Sequence, residues 1–419
     1  MPMRGSVKFL IVFFLTFAQV LAVVALFNRW ADPYHIYSHR PYEASRPLWM
    51  SKQLRRAKAY YIRHAKPKGI IVGASTSELG LDPDHPGWNS QVYPRYNLAF
   101  PGSFLYENFR FLQHALAVSP VQQVLVGLDF VAFNRFAPLS DDFYEKDLWT
   151  SVEGEPTRDA FRDVQITLLS LTAVTAGQKK LFSRGEGTHF ANGRQIPERQ
   201  ENRNNRSAMV GSAQGFVTRL LFHPPAHKYC LFDQDGRNVN FDYLRAMIRF
   251  ARAAGADIRL FIQPPHATLL EVLHYAGLWP VYEAWVQALA ALVNEENHAE
   301  SDKPPVPLWD FSGYNPITTE PISPSAEPTA PMRWYWDVGH YNKDLGDRIQ
   351  DRIFDFHDPE REIPSDFGRK IHPGNVEDHL AEMRLKREAY VLENSADLAD
   401  IHERVQRIMK NIPPYDCGD

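Results

Sequence analysis

The hydrophobic pattern opens with its longest run. Residues 9–27 read FLIVFFLTFAQVLAVVALF, nineteen positions with no charge and only Thr16 and Gln19 polar. A helix of that length covers about 28 Å, close to the ~30 Å hydrocarbon core of a bilayer. Nothing polar marks an outward face, as a buried helix of a soluble domain would require. Signal-peptide apolar regions run to about 7–15 residues and end at a small-residue cleavage site. Here the only tolerable site falls around Val23-Val24-Ala25. The pattern therefore predicts an uncleaved transmembrane helix over 9–27, with removal as a signal the alternative. Arg4, Lys8 and the α-amino group precede the span and place residues 1–8 in the cytoplasm, although Arg29, Arg40 and Arg46 reduce the charge asymmetry. Residues 28–66 read as a juxtamembrane connector: Trp30, Tyr34 and Tyr37 suit the interface, and a basic helical run extends from Lys52 to Lys66.

A second pattern then begins. Gly69 to Gly73 (GIIVG) is a short apolar run bounded by glycines, as in a buried parallel strand. Val92 to Ala99 is a strand candidate interrupted by Pro94, residues 103–118 carry a helical apolar stripe, and Val121 to Phe130 reads as a strand. The alternation breaks over about 134–235, where Arg162 to Ala176 reads as a helix and Ser183 to Ser212 is polar and rich in Asn, Arg and Gly. This stretch is expected to be an insertion whose polar part is a mobile loop. A helix from Val239 to Gly255, a strand from Asp257 to Gln263, a helix over 279–297, a strand from Val306 to Phe311 and a helix over 342–356 resume the alternation. Residues 357–419 form a polar tail with a charged helix near 376–410, a solvated or packing appendage. Strands alternating with helices predict a three-layer α/β/α fold with a mainly parallel, flavodoxin-like sheet over 67–356. In such sheets, ligands lie beyond the carboxyl ends of the strands.

Composition narrows the function. The 419 residues carry 46 Lys+Arg and 50 Asp+Glu, a net charge of −4, so no basic excess exists to displace counterions from nucleic acid. The two cysteines, Cys230 and Cys417, are too few for a structural zinc site; a disulfide between them is compatible with an oxidising compartment and is left open.

The strand ends carry the chemistry. Gly73-Ala74-Ser75 follows the first strand, Pro101-Gly102-Ser103 the second, and Gly127-Leu128-Asp129 closes the third. Asp337-Val338-Gly339-His340 sits just before the last helix of the α/β region. A serine hydroxyl becomes a useful nucleophile when an imidazole takes its proton, and that imidazole needs a carboxylate to fix its tautomer. An Asp and a His three apart can be held by one turn. Ser75, His340 and Asp337 are thus the candidate catalytic residues, with backbone N–H groups of Ser75 and Gly102 facing a developing oxyanion.

This order of blocks resembles the SGNH (GDSL-like) hydrolase and acyltransferase superfamily. Gly73-Ala74-Ser75 matches its first block, Gly102 its second, and Asp337 to His340 its closing Asp-x-x-His. The resemblance implies Ser75 as nucleophile, His340 as general base and Asp337 as the orienting carboxylate. The tethered layout is similar to envelope members that move acetyl groups onto exopolysaccharides or D-alanine onto teichoic acids. It implies a single-pass protein of the bacterial cytoplasmic membrane, with its C-terminal domain in the periplasm or otherwise outside the cytoplasm. The implied acceptor is an envelope glycan or exopolysaccharide, and the tether is compatible with acyl-donor delivery by a multi-pass membrane acyltransferase. Trp279, Trp309, Trp334 and Trp336 would suit stacking on sugar rings, although core roles compete.

Two departures from the family pattern stand out. Ala74 replaces the usual Asp of the first block, and the third block, Gly-x-Asn-Asp in the family, ends here at Asp129. The family's Asn donates an N–H to the oxyanion, whereas an ionised Asp only accepts. Either Asp129 is protonated, or it points away, or Asn134 supplies the donor, or the chain is a catalytically degenerate binding or assembly component of a polysaccharide machine. Asp129 and His266, which follows the fourth strand, are the further candidates for substrate contact. His85, His114 and His274 show no metal-ligand spacing, and no phosphate-binding Gly-rich loop follows the first strand, so neither a metal nor a nucleotide cofactor is expected.

Overall fold

The computed structural model describes residues 3–37, 42–50, 53–157, 159–183, 187–197 and 203–417. Parts of the polar 183–212 stretch, together with Arg40 and Lys52, lie outside them.

The N-terminal helix α1 (Met3–Ala31) includes Gly5–Ala31, 27 residues long and apolar enough to cross a membrane. Most of its surface is exposed apolar side chain. Its last turns are anchored: buried Asn28 donates to the Leu168 carbonyl at 2.8 Å and the Ser170 carbonyl at 3.2 Å. The next helix, α2 (Leu54–Ala65), lies within the stretch expected as a connector. α2 is packed into the α/β body, with Ala57, Ala59, Tyr60 and Ile62 fully buried, and Tyr34 is likewise buried rather than free for an interface.

The central sheet has six strands: β1 (Gly69–Val72), β2 (Arg95–Asn97), β3 (Gln123–Leu128), β4 (Asp257–Ile262), β5 (Leu308–Asp310) and β6 (Arg369–Lys370). They lie in the order β2-β1-β3-β4-β5-β6; the first five are parallel and β6 is an antiparallel edge. The alternation of side chains along a strand divides the core. Ile70, Val72, Val124, Val126, Leu260 and Ile262 face one hydrophobic cluster, and Ile71, Leu125 and Phe261 face the other. The first face is covered by α2, α4 (Leu105–Val118), α8 (Val239–Ala253), α9 (Ala267–Tyr275) and α10 (Trp279–Ala299). On the second face lies α11 (Lys343–Phe354), through Leu345, Ile349 and Ile353. The fold is mixed α/β with a mostly parallel sheet covered on both faces.

The insertion carries more regular structure than its pattern predicts. The helix expected over 162–176 is two helices, α5 (Ala160–Thr167) and α6 (Leu171–Phe182), with the Ser170 hydroxyl capping α6. The described part of the polar stretch is not a bare loop. His189–Phe190 pairs antiparallel with Pro47–Leu48, and α7 (Asn205–Phe216), capped by the Asn204 side chain, runs into a π-turn at Val217–Leu221. The charged C-terminal helix is also two, α12 (Val376–Glu393) and α13 (Ser395–Met409), and both pack. Leu380, Leu398, Ile401 and Val405 are buried, His379 meets Asp310 at 2.9 Å, and Arg387 pairs with Glu271 at 2.9 Å. Cys230 and Cys417 form a disulfide that ties the C-terminal segment to the insertion.

Candidate active site

β1 lies between β2 and β3, so the chain leaves the two central strands in opposite directions and opens a crevice beyond their carboxyl ends. Ser75 begins the short helix α3 (Ser75–Gly80) immediately after β1, and Asp129 follows β3. Two close approaches fix α3. A Cβ at Gly80 would lie 2.0 Å from the Tyr341 ring, and one at Gly346 would lie 1.9 Å from the Gly80 carbonyl oxygen. Only glycine lets α3, Tyr341 and α11 pack this tightly.

Across this contact, His340 is brought to Ser75. Ser75 Oγ and His340 Nε2 are 2.7 Å apart, although 265 positions separate them in the chain. His340 Nδ1 lies 2.9 Å from both carboxylate oxygens of Asp337. Asp337 Oδ1 also accepts the backbone N–H groups of Gly339 at 2.9 Å and His340 at 3.0 Å, so one rigid turn holds the pair. Thr76 Oγ1 donates to the Gly339 carbonyl at 3.1 Å, linking the serine helix directly to that turn. With a proton on Nδ1 facing Asp337, Nε2 presents its lone pair to the Ser75 hydroxyl.

The electrostatics follow from these contacts. Burial opposes charge on the His340 ring, but the Asp337 carboxylate outweighs it, and its pKa lies above the usual imidazole value. Burial likewise resists ionisation of Asp337, yet His340 and the two backbone N–H groups hold its carboxyl below the usual range. Asp129 is different: burial pushes its carboxyl up to about 7, against the lowering influence of His340.

A cavity of about 370 Å³ joins these groups. Ser75, Gly102, Asp129, Asp337 and His340 line it together with Leu128, Phe130, Leu270, Leu273 and Trp285. Gly102 sits in its wall with φ +61°, a left-handed conformation that favours glycine. Ser75, as the first residue of its helix, carries an N–H without an intrahelical acceptor.

Two sequence-predicted residues do not belong to the site. Asn134 is buried with its amide committed elsewhere: Nδ2 donates to the carbonyls of Leu221 and Lys228, and Oδ1 accepts from Cys230 N–H. It is absent from the cavity lining, and its role is to pin the insertion to the end of β3. His266 is fully buried at the start of α9, where Nδ1 accepts the Thr268 N–H at 3.2 Å and Nε2 meets the Glu320 carbonyl at 2.6 Å. Burial lowers its pKa to about 4, so it caps a helix as a neutral ring. Nor does any of Trp279, Trp309, Trp334 or Trp336 line the cavity.

Other contributors were not singled out from the sequence. Gln263, after β4, donates from Nε2 to Ser77 Oγ at 2.6 Å and accepts the Tyr341 hydroxyl at 2.8 Å, bracing the serine helix and the histidine turn together. Gly127 is the available signal, since a Cβ there would meet both Gln263 Nε2 and Ser77 Oγ. Beneath α3, buried Lys58 pairs with Glu78 at 2.7 Å and donates to the Ala99 carbonyl at 2.7 Å; His189 meets the same carboxylate at 3.0 Å. The insertion also reaches the site. Ser212 Oγ accepts the Val338 N–H at 3.2 Å, and Phe216 and Leu220 form part of the cavity wall. No protein-family model matches this chain and no curated protein matches it, so the chemistry open to the site is set by the geometry above.

Proposed function

We propose that the chain is a membrane-anchored serine hydrolase or acyltransferase of the SGNH type, acting on acyl esters. The observation that carries this reading is the continuous set of contacts from Ser75 Oγ through His340 to Asp337, opening onto a cavity. Ser75 Oγ attacks the ester carbonyl carbon as His340 Nε2 takes its proton. The tetrahedral intermediate then expels the alcohol, which leaves with that proton. Water or an acceptor hydroxyl attacks the acyl-serine, with His340 again removing the proton, and the ester or acid departs as Ser75 is regenerated. Asp337 stays ionised and stabilises the imidazolium.

Ser75 N–H, Gly102 N–H and the carboxyl of Asp129 are the candidate oxyanion donors. A carboxyl with a pKa of about 7 can carry a proton near neutrality, and in that state it donates an O–H where the related hydrolases use an Asn amide. In that protonated state Asp129 is compatible with a working oxyanion hole. An envelope glycan as acceptor rests on the resemblance of the residue order, and an oxidising, extracytoplasmic setting is supported by the span at the N-terminus and the Cys230–Cys417 bond. Hydrolysis of p-nitrophenyl butyrate by the detergent-solubilised full chain tests the reading. Turnover is expected from the wild type and lost in Ser75→Ala, and equal turnover by the two proteins would overturn it.

A further inference from the structure

The cavity beside Ser75 is larger and more apolar than an acetyl group requires. Its 370 Å³ falls in the range of about 300–1,000 Å³ typical of whole small-molecule sites, whereas an acetyl group has three heavy atoms. The polar groups in its lining concentrate around Ser75, Asp129, Asp337 and His340. Ser212, Arg219, Gln263 and the Tyr282 ring also line it, but one continuous part of the wall is apolar, built of Phe130, Phe216, Leu220, Leu270, Leu273 and Trp285 from the end of β3, the end of α7 and its π-turn, and helices α9 and α10. Leu270 and Trp285 are fully buried, and Phe130 packs edge-on against Trp285 with ring centroids 5.5 Å apart, so this wall is part of the core rather than a surface dimple. That apolar part of the wall favours an alkyl chain, rewarding each buried methylene by about fourfold in binding.

We propose that the cavity is an acyl-chain pocket, and that the acyl group transferred by Ser75 is a fatty chain considerably longer than acetyl. This inference rests on the nucleophile reading above and specifies its substrate class. Two of the wall residues, Phe216 and Leu220, come from the insertion, so the segment that interrupts the α/β alternation sets the chain-length limit together with α9.

The test is kcat/KM for p-nitrophenyl acetate, butyrate, octanoate and dodecanoate with the full chain in detergent, alongside covalent labelling by a fluorophosphonate probe. The octanoate-to-acetate ratio is expected to exceed about tenfold in the wild type. Leu220→Trp, which fills a half-buried stretch of wall, should lower that ratio at least tenfold. Leu273→Ala, which enlarges the pocket, should shift the optimum to a longer chain and keeps the test available if the tryptophan variant does not fold. A flat or acetate-favouring profile with Ser75 still labelled would overturn the acyl pocket while leaving the nucleophile in place. Absence of both turnover and labelling would overturn the nucleophile reading, and the acyl pocket with it.

Discussion

Two carboxylates near one imidazole are asked to do opposite things. Asp337 is held ionised by His340 and by two backbone N–H groups, while Asp129 is raised to about 7 by burial. The pH profile should therefore have two limbs. His340 must be neutral to accept the serine proton, and its pKa lies above the usual imidazole value, so activity rises with pH through that raised value. Asp129 must be protonated to donate, so activity falls again as pH passes about 7. Because the two groups interact, the limbs belong to the pair. Asp129→Asn, which donates at every pH, should abolish the alkaline limb and leave the acid limb of His340 in place; Asp129→Ala should lower kcat about 10²–10³-fold, the usual cost of one oxyanion donor. Asp337→Asn should lower kcat/KM about 10⁴-fold, since the wrong tautomer then faces Ser75. The triad was legible because Ser75 and the Asp337–His340 pair sit at strand and helix junctions. Asn134 and His266 were misread because a polar residue near a strand end looks the same whether it serves a ligand or satisfies a buried backbone.

At the scale of elements, α3 is held from two sides, by Gly80 and Gly346 above and by the Lys58–Glu78 pair below. Gly80→Ala would place a methyl group inside the Tyr341 ring, so it should displace α3 and reduce activity while the far-UV circular dichroism of the fold is retained. Lys58→Met would leave Glu78 buried without its main partner, a change that typically costs about 3–5 kcal/mol; denaturant titration measures it. Although burial resists its charge, Lys58 and His189 hold the Glu78 carboxyl below its unfolded value. Its stabilising contribution is therefore present above the unfolded pKa and lost as pH falls through the folded one. Acid unfolding should begin at higher pH in Lys58→Met. The long strands and amphipathic helices were readable from periodicity: α8 buries Leu244, Met247, Ile248 and Ala251 at helical spacing. The two-residue edge β6 and the capped helix α9 were not, because pairing partners and caps, rather than a sustained pattern, define them.

Over the whole molecule, the N-terminal apolar helix and the insertion are joined by contacts that no local pattern announces. Asn28 bonds into the α5–α6 turn, and Gly177 of α6 lies so close to α1 that a Cβ would come within 2.8 Å of the Ala31 methyl. The chain is expected to remain in the membrane pellet after alkaline carbonate extraction, whereas a cleaved signal would release it. The Cys230–Cys417 bond closes 187 positions of chain, and Cys417→Ser should cost about 2–4 kcal/mol of stability, read as a lower Tm that reductant reproduces in the wild type. The insertion was visible only as an interruption. Its function, walling the cavity through Phe216 and Leu220, depends on where α7 packs and so lies beyond periodicity.

Intact-mass and peptide mapping after treatment of the full chain with a fluorophosphonate tests the central claim most directly. The account predicts one phosphonyl adduct, on Ser75, formed rapidly in the wild type and lost in His340→Ala. An unmodified Ser75, or an adduct that forms at the same rate without the imidazole, would contradict it.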